Sequence, residues 1–135
     1  MAATIQREII SAYRHRGFEC VCGNLRMASR AITSIYDAHL RGSGLTSSQL
    51  ALLWCVLARE RAAMGEIAQT LLMDKTTVSR NVAALVASGL VRVRSGSDER
   101  CRTVSLTAKG RRAFASAMPA WEAAQAEAAR IRVPW

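Results

Sequence analysis

The sequence predicts a mainly α-helical fold with one small β-hairpin, and three observations lead to this prediction. Apolar residues recur at steps of three and four along most of the chain, which is the spacing of amphipathic helices. Alternation of apolar and polar residues is confined to two short stretches, LVRVRS at 90–95 and TVSLT at 103–107, and it indicates two strands. The length of 135 residues fits a single domain, 1–135.

The first two predicted helices are separated by a glycine-rich turn. A helical pattern extends from about Cys22 to Leu40, and Gly42 and Gly44 end it. Thr46 then stands where an N-cap is expected, directly before SSQLALLWCVLARE. This second segment is apolar on nearly all sides, so we expect it to be the core helix.

Two shorter helical segments follow, MGEIAQTLLM at 64–73 and TTVSRNVAALVAS at 76–88. The carboxylate of Asp74 lies between them and can cap the second, which Gly89 ends. This is the spacing of a helix-turn-helix.

The two predicted strands form a hairpin whose connecting loop, GSDERCR, is polar and basic. A hairpin placed directly after a helix-turn-helix is a wing, so residues 45–106 are predicted to form a winged helix-turn-helix. Thr107 is expected to cap a last helix that continues past Pro119. The proline removes an N–H and its ring clashes with the preceding turn, so we expect a kink there.

The charge distribution favours nucleic acid as a partner. The net charge is +9, and nine basic but only two acidic residues lie between Lys75 and Arg112. Such a concentrated basic segment suggests a polyanion, although an ordinary solvated basic face is the alternative. The longest apolar run, LALLWCVLA, is too short to span a bilayer, and no signal sequence is evident. We therefore expect a cytoplasmic protein without a membrane partner.

The second helix of the helix-turn-helix has the composition of a DNA-contacting helix. We expect Val78, Val82, Leu85 and Val86 to pack inward. Small hydroxyls, an amide and basic groups can bond to base edges and phosphates in the major groove, although any surface helix exposes polar residues. The predicted DNA contacts at the start of this helix are Lys75, Thr76, Thr77, Ser79, Arg80 and Asn81, and the hairpin with its loop adds Arg94 and Arg102.

Two longer runs, DKTTVSRNVAALVASGLVRV and SDERCRTVSLTAKGRR, resemble the MarR family of winged-helix transcription regulators. The resemblance includes an Asp-x-Arg motif at Asp98 and Arg100 and a Leu-Thr-x-x-Gly motif from Leu106 to Gly110. It implies that Arg100 enters the minor groove and that Asp98 orients it. It also implies a homodimer, with residues 1–44 and 107–135 as dimerisation helices, bound to a pseudo-palindromic double-stranded DNA operator.

The segment VCGNLRMASRAITSIYDAHL is similar to the organic-hydroperoxide-sensing branch of that family. Cys22 falls on the position of the reactive cysteine, and Tyr36 matches one of the tyrosines around it. Arg26 and Ser47 occupy two other tyrosine positions, so the peroxide site is only partly reproduced.

Soft-metal binding is a second hypothesis for the thiols. Cys20, Cys22 and a third ligand from Cys55, His15 or His39 could bind trivalent arsenic, trivalent antimony or a soft divalent ion as an effector. Residues i and i+2 of a regular helix point about 200° apart, so the pair converges only if the chain is irregular there. The third hypothesis is that a cysteine packs as a small apolar residue, which we expect for Cys55.

Taken together, these features predict a dimeric DNA-binding repressor, released from its operator by a small effector and requiring no cofactor. The alternative is a winged-helix protein that binds nucleic acid without sequence preference and senses no effector. An enzyme is disfavoured because the sequence has no glycine-rich phosphate loop, no metal-ligand pair at helical spacing, and no nucleophile with an evident base.

Overall fold

The computed structural model describes residues 1–96 and 101–131. In this part the predicted mainly helical fold with a small sheet is confirmed. The helices are α1 (Ala2–Tyr13), α2 (Val21–Leu40), α3 (Ser47–Arg59), α4 (Met64–Leu71), α5 (Lys75–Ala87) and α6 (Ala108–Ala128). The strands are β1 (Ala62–Ala63), β2 (Val91–Arg94) and β3 (Thr103–Leu106), and short 3-10 helices cover Arg16–Glu19 and Arg41–Ser43.

The chain divides into two compact units, Met1–Ser34 and the part from Ile35 onward. The first unit contains α1, a 3-10 helix and the beginning of α2, and none of its residues is buried. The resemblance assigned residues 1–44 to dimerisation helices, but α1 was not identified from its residue pattern, although Ile5, Ile9 and Tyr13 have the required spacing of four.

The core of the second unit is built around α3, as the sequence predicted. Leu52, Leu53 and Val56 of this helix are fully buried. Helix α3 begins with a capping box, in which the amide of Gln49 donates to Thr46 Oγ1 at 3.1 Å and the amide of Thr46 donates to Gln49 Oε1 at 3.1 Å. The largest fully buried side chains from other elements are Leu40, Ile67, Val78, Leu85 and Val104.

Trp54, although it lies on the core helix, remains 39% exposed. Its ring packs edge-on against Phe114, with centroids 5.3 Å apart, and at a tilt against Trp121, with centroids 5.0 Å apart. These contacts join α3 to α6 at the edge of the core.

The sheet has three antiparallel strands in the order β1-β3-β2. In the predicted hairpin, Val91 pairs with Leu106 and Arg94 with Thr103. On the other side of β3, Ala62 pairs with Val104. Strand β1 was missed because two residues are too few to show alternation.

Helix α6 has the predicted N-cap, since the amide of Gly110 donates to Thr107 Oγ1 at 3.0 Å. Pro119 lies inside α6 and does not end it, and the expected bend of the axis stays a prediction. Over the described ranges, no helix has both the length and the apolar character needed to cross a membrane.

Candidate nucleic-acid interface

The turn between α4 and α5 fixes where the candidate recognition helix α5 begins. Its N-cap is Asp74, as predicted: the Thr77 amide donates to Asp74 Oδ1 at 2.8 Å and the Thr77 hydroxyl donates to Oδ2 at 2.6 Å. These bonds, the hydroxyl bond foremost, hold the pKa of Asp74 below its ordinary value of 3.8. The ionised carboxylate therefore stabilises the first turn of α5.

One face of α5 is packed into the core. Val78, Val82 and Leu85 are buried, as expected from their spacing of four and three. Val86 was expected on the same face, but it is 45% exposed. It lies about 100° around the helix from Leu85, which places it outside the buried stripe.

Val86 instead lines a shallow, mostly apolar cavity of about 370 Å³ between α5 and the hairpin. Val93 of β2 lies on the other side of this cavity, and Ser79 and Arg102 contribute polar groups to its lining.

Most of the predicted DNA contacts on α5 lie outside its buried stripe. Lys75, Thr76, Ser79 and Arg80 are exposed, and Asn81 is half-buried. Thr77 is also half-buried and its hydroxyl donates to Asp74, so its contact with DNA stays a prediction. The sequence did not reveal this hydrogen bond because Thr77 is both a possible base contact and the usual hydrogen-bonding partner of an N-cap three residues before it.

The hairpin places basic side chains outside the core. Val91 is buried while Arg94 is exposed, as the alternation along β2 predicted. Arg102, just before β3, is also exposed. Asp98 and Arg100 fall in 97–100, outside the described residues, so their roles stay predictions from the resemblance.

A group of contacts ties the start of α6 to the end of α5, and sequence reasoning did not identify it. The hydroxyl of Thr107 donates to the carbonyl oxygen of Gly89 at 2.6 Å. The Lys109 ammonium donates to the carbonyl oxygen of Ser88 at 2.8 Å. Gly110 lies so close to Leu90 that an added Cβ would overlap the carbonyl oxygen of Leu90. We call these contacts the Thr107–Gly110 tie; the Leu-Thr-x-x-Gly motif was its signal in the sequence.

Of the two cysteines that were expected to converge on one ion, only Cys20 lies outside a regular helix. Cys20 has an extended backbone, with φ −71° and ψ 108°, and directly precedes α2. Its Sγ accepts the Gly23 amide at 3.4 Å, and its carbonyl oxygen accepts the Asn24 amide at 2.9 Å. Cys20 thus occupies the N-cap position of α2, while Cys22 lies in the first turn. Both thiols are exposed.

The other candidate ligands lie in different surroundings. Cys55 is buried, as expected, and its Sγ accepts a hydrogen bond from Arg59 Nη1 at 3.4 Å. His39 Nε2 is 2.6 Å from Glu127 Oε2, and Tyr36 is half-buried in α2. Across residues 1–96 and 101–131, no group of three or more His, Cys, Asp or Glu side chains could hold a metal ion.

Comparison with known proteins gave one family and several structures. A MarR-family model matches residues 43–100, whereas a search of curated proteins found no significant match. The transcriptional regulator MosR of M. tuberculosis, in complex with DNA, is 39% identical, with 86% of this chain and 85% of MosR covered and a TM-score of 0.76.

Two further structures share the fold at lower identity. BpsR of Bordetella bronchiseptica, whose DNA binding is regulated by 6-hydroxynicotinic acid, is 24% identical (coverage 86% of this chain and 84% of BpsR, TM-score 0.75). A cysteine-to-serine mutant of E. coli MarR, complexed with operator DNA, is 19% identical (coverage 84% of both chains, TM-score 0.74). From the family model and the identity to MosR, we conclude that this chain belongs to the MarR family of winged-helix, DNA-binding transcription regulators.

Proposed function

We propose that the chain is a dimeric repressor that binds a specific operator by inserting α5 into the major groove. The observation that carries this proposal is that α5 has a buried apolar stripe and, outside that stripe, exposed polar and basic side chains. Its buried stripe fixes the helix to the core, while the exposed Lys75, Ser79 and Arg80 lie together at its N-terminal end. The similarity to MosR, which was solved in complex with DNA, supports the same use of this surface.

The exposed residues divide by chemistry into two kinds of contact. Ser79, Arg80 and Asn81 carry groups that bond to base edges and would provide sequence preference. Lys75, Arg94 and Arg102 would neutralise phosphates and provide affinity that falls with salt. Asp98 and Arg100 keep the minor-groove role that the family resemblance implies. The competing function, binding without sequence preference, would use only the second kind.

The dimer is supported by the unburied apolar residues of the first unit. In Met1–Ser34, all of which is described, the side chains of Ile5, Ile9 and Leu25 are more than half exposed, at 52%, 55% and 56%. Apolar side chains repeated along helices are commonly covered by another helix. A second copy of this chain is the proposed cover, because the family resemblance assigns the terminal helices to dimerisation.

The effector is proposed to act at a site that contains Cys20 and Cys22. The family resemblance adds Tyr36 to this site. Exposure of both thiols and the extended backbone at Cys20 support this assignment. Exposed thiols can be oxidised or can bind a thiophilic ion such as trivalent arsenic or antimony. The dimer is taken to have two arrangements, one that fits the operator and one that does not. Release from DNA then requires that the effector interacts more favourably with the arrangement that does not fit.

A mobility-shift assay on the DNA upstream of the gene tests both parts of the proposal. Arsenite, an organic hydroperoxide and a phenolic carboxylate are added in turn. The variant Cys22→Ser should bind the DNA as wild type does but fail to be released, while the control Cys101→Ser should still respond. Normal release of Cys22→Ser from the DNA would exclude Cys22 as the sensing residue. If the wild-type protein did not bind this DNA, the proposal that it is a repressor acting there would be wrong.

A further inference from the structure

Leu72 has a backbone conformation that ordinarily favours glycine. It ends α4 in the left-handed region, with φ 51° and ψ 39°. Its amide donates to the Gln69 carbonyl oxygen at 3.4 Å and the Met73 amide donates to the Ala68 carbonyl oxygen at 3.0 Å. This is the hydrogen-bond pattern of a Schellman motif. Any residue with a Cβ is disfavoured at this position, because the Cβ approaches the following carbonyl oxygen.

The side chain of Leu72 is also unfavourably placed with respect to water. It is 93% exposed, whereas its neighbour Met73 is half-buried and packs against the core. A glycine would relieve the backbone and expose no apolar side chain. Neither the local conformation nor the packing of the described residues therefore stabilises a leucine here.

The position of Leu72 indicates where its side chain could become buried. It lies two residues before Asp74, the N-cap of α5, and three before the exposed Lys75. Consecutive Cα atoms are about 3.8 Å apart, so Leu72 is adjacent to the end of α5 that carries the candidate DNA contacts. DNA bound at Lys75 would bring a sugar–phosphate strand next to this leucine. The sugar carbons of that strand are apolar.

We propose that Leu72 is a DNA-contacting residue whose side chain packs against deoxyribose at the edge of the groove that α5 enters. This inference rests on the proposed binding of DNA by α5. The contact removes apolar surface from water and is the same for every base sequence. It adds affinity without adding sequence preference, and because no charge is involved it is independent of salt.

The test compares two substitutions at this position in the full-length protein. Leu72→Gly removes the side chain and relieves the backbone, whereas Leu72→Met keeps a similar apolar surface and the same unfavourable backbone. Affinity is measured by fluorescence anisotropy on a duplex from the gene's upstream region and on a scrambled duplex, each over a series of salt concentrations. Thermal unfolding of both variants is measured in parallel.

Leu72→Gly should bind both duplexes roughly tenfold more weakly, corresponding to about 1.4 kcal/mol, with the slope of affinity against salt unchanged. Its Tm should be equal to or higher than that of wild type, so lost affinity cannot be attributed to unfolding. Leu72→Met should bind within about twofold of wild type.

Unchanged binding by Leu72→Gly would overturn the inference, and the exposed leucine would then be assigned to a protein partner. Equal losses in Leu72→Gly and Leu72→Met would also overturn it, because the apolar surface would not be the cause. If the wild-type protein bound neither duplex, both the proposed function and this inference would fail. If the wild-type protein bound DNA and Leu72→Gly bound it equally well, only this inference would fail.

Discussion

At the scale of single residues, the cap at Asp74 fixes the start of α5, the candidate recognition helix. Both of its carboxylate oxygens accept hydrogen bonds from Thr77. Because the pKa of the carboxyl is lowered in the folded protein, the cap contributes stability above the unfolded value of 3.8 and loses it as the pH falls through the folded value.

Asp74→Ala should therefore lower the Tm between about pH 5 and 7, and the difference from wild type should shrink below pH 3.8. Asp74→Asn keeps one N-cap acceptor but loses the charge and the second acceptor oxygen, so near neutral pH its Tm should lie between those of Asp74→Ala and wild type. The measurement is circular dichroism during heating over a series of pH values. A difference between wild type and Asp74→Ala that is constant down to about pH 3 would rule out the carboxylate as the cause.

Helix caps were the residues that could be predicted best, because a cap depends on side-chain chemistry within three positions. Thr46, Asp74 and Thr107 were all identified from the sequence. Val86 was placed incorrectly because its surroundings depend on more than local spacing, whereas the hydrogen bond from Thr77 to the cap was not foreseen. Val86 lies beside a cavity formed with the hairpin, and Thr77 donates its hydroxyl to the cap.

At the scale of elements, the Thr107–Gly110 tie holds the recognition helix against α6. Its strictest steric requirement is at Gly110, where an added Cβ would overlap the Leu90 carbonyl oxygen and could not avoid it by rotation. The tie therefore sets how the C-terminal end of α5 is oriented relative to the helix that follows the wing.

Gly110→Ala should destabilise the fold by about 1–3 kcal/mol, the usual cost of overpacking. Gly65→Ala is the matched control, since Gly65 lies in α4 with nothing within 4 Å of an added Cβ, and it should be neutral or slightly stabilising. Urea titrations measure both changes. Equal stability of the two variants would refute the close contact at Leu90.

Among the elements, the helices from α2 to α6 and the hairpin were predicted, whereas α1 and β1 were not. The core helix and the hairpin have patterns that extend over enough residues to be recognised. Strand β1 has two residues and is defined only by its pairing with β3. The Thr107–Gly110 tie was visible as a motif, but its partners, the carbonyl groups from Ser88 to Leu90, carry no sequence signal because every residue has a carbonyl.

At the scale of the whole molecule, DNA binding is proposed to depend on the dimer. A dimer contacts two half-sites at once, so loss of one subunit removes half of the contacts. The exposed apolar residues of α1 are the part of the surface that a partner subunit is expected to cover.

Ile9→Asp should shift the protein from dimer to monomer in light scattering and weaken operator binding at least about tenfold, because a charge in an apolar interface is costly. Ser11→Asp places the same charge about 200° around α1 and should keep the dimer. A stable dimer with unchanged operator affinity in Ile9→Asp would exclude α1 from the interface.

The family and the DNA-binding element could be derived from the sequence because one ordered set of motifs, from DKTTVSR to LTAKG, carries them. The role of the thiols could not be derived from the sequence, because a cysteine can be oxidised, bind a metal or pack as an apolar residue, and the residue type does not distinguish these roles. Both thiols are exposed in the single chain, so neither packs within its own subunit, and their use as a sensor stays a proposal.

The central claim is that this chain binds a specific operator, and competition binding tests it most directly. A labelled duplex from the gene's upstream region is titrated with the wild-type protein at physiological salt, then challenged with unlabelled duplex of the same or scrambled sequence. We expect the scrambled duplex to compete at least about 1,000-fold less well. Equal competition by the two duplexes would contradict the claim and identify a winged-helix protein that binds DNA without sequence preference.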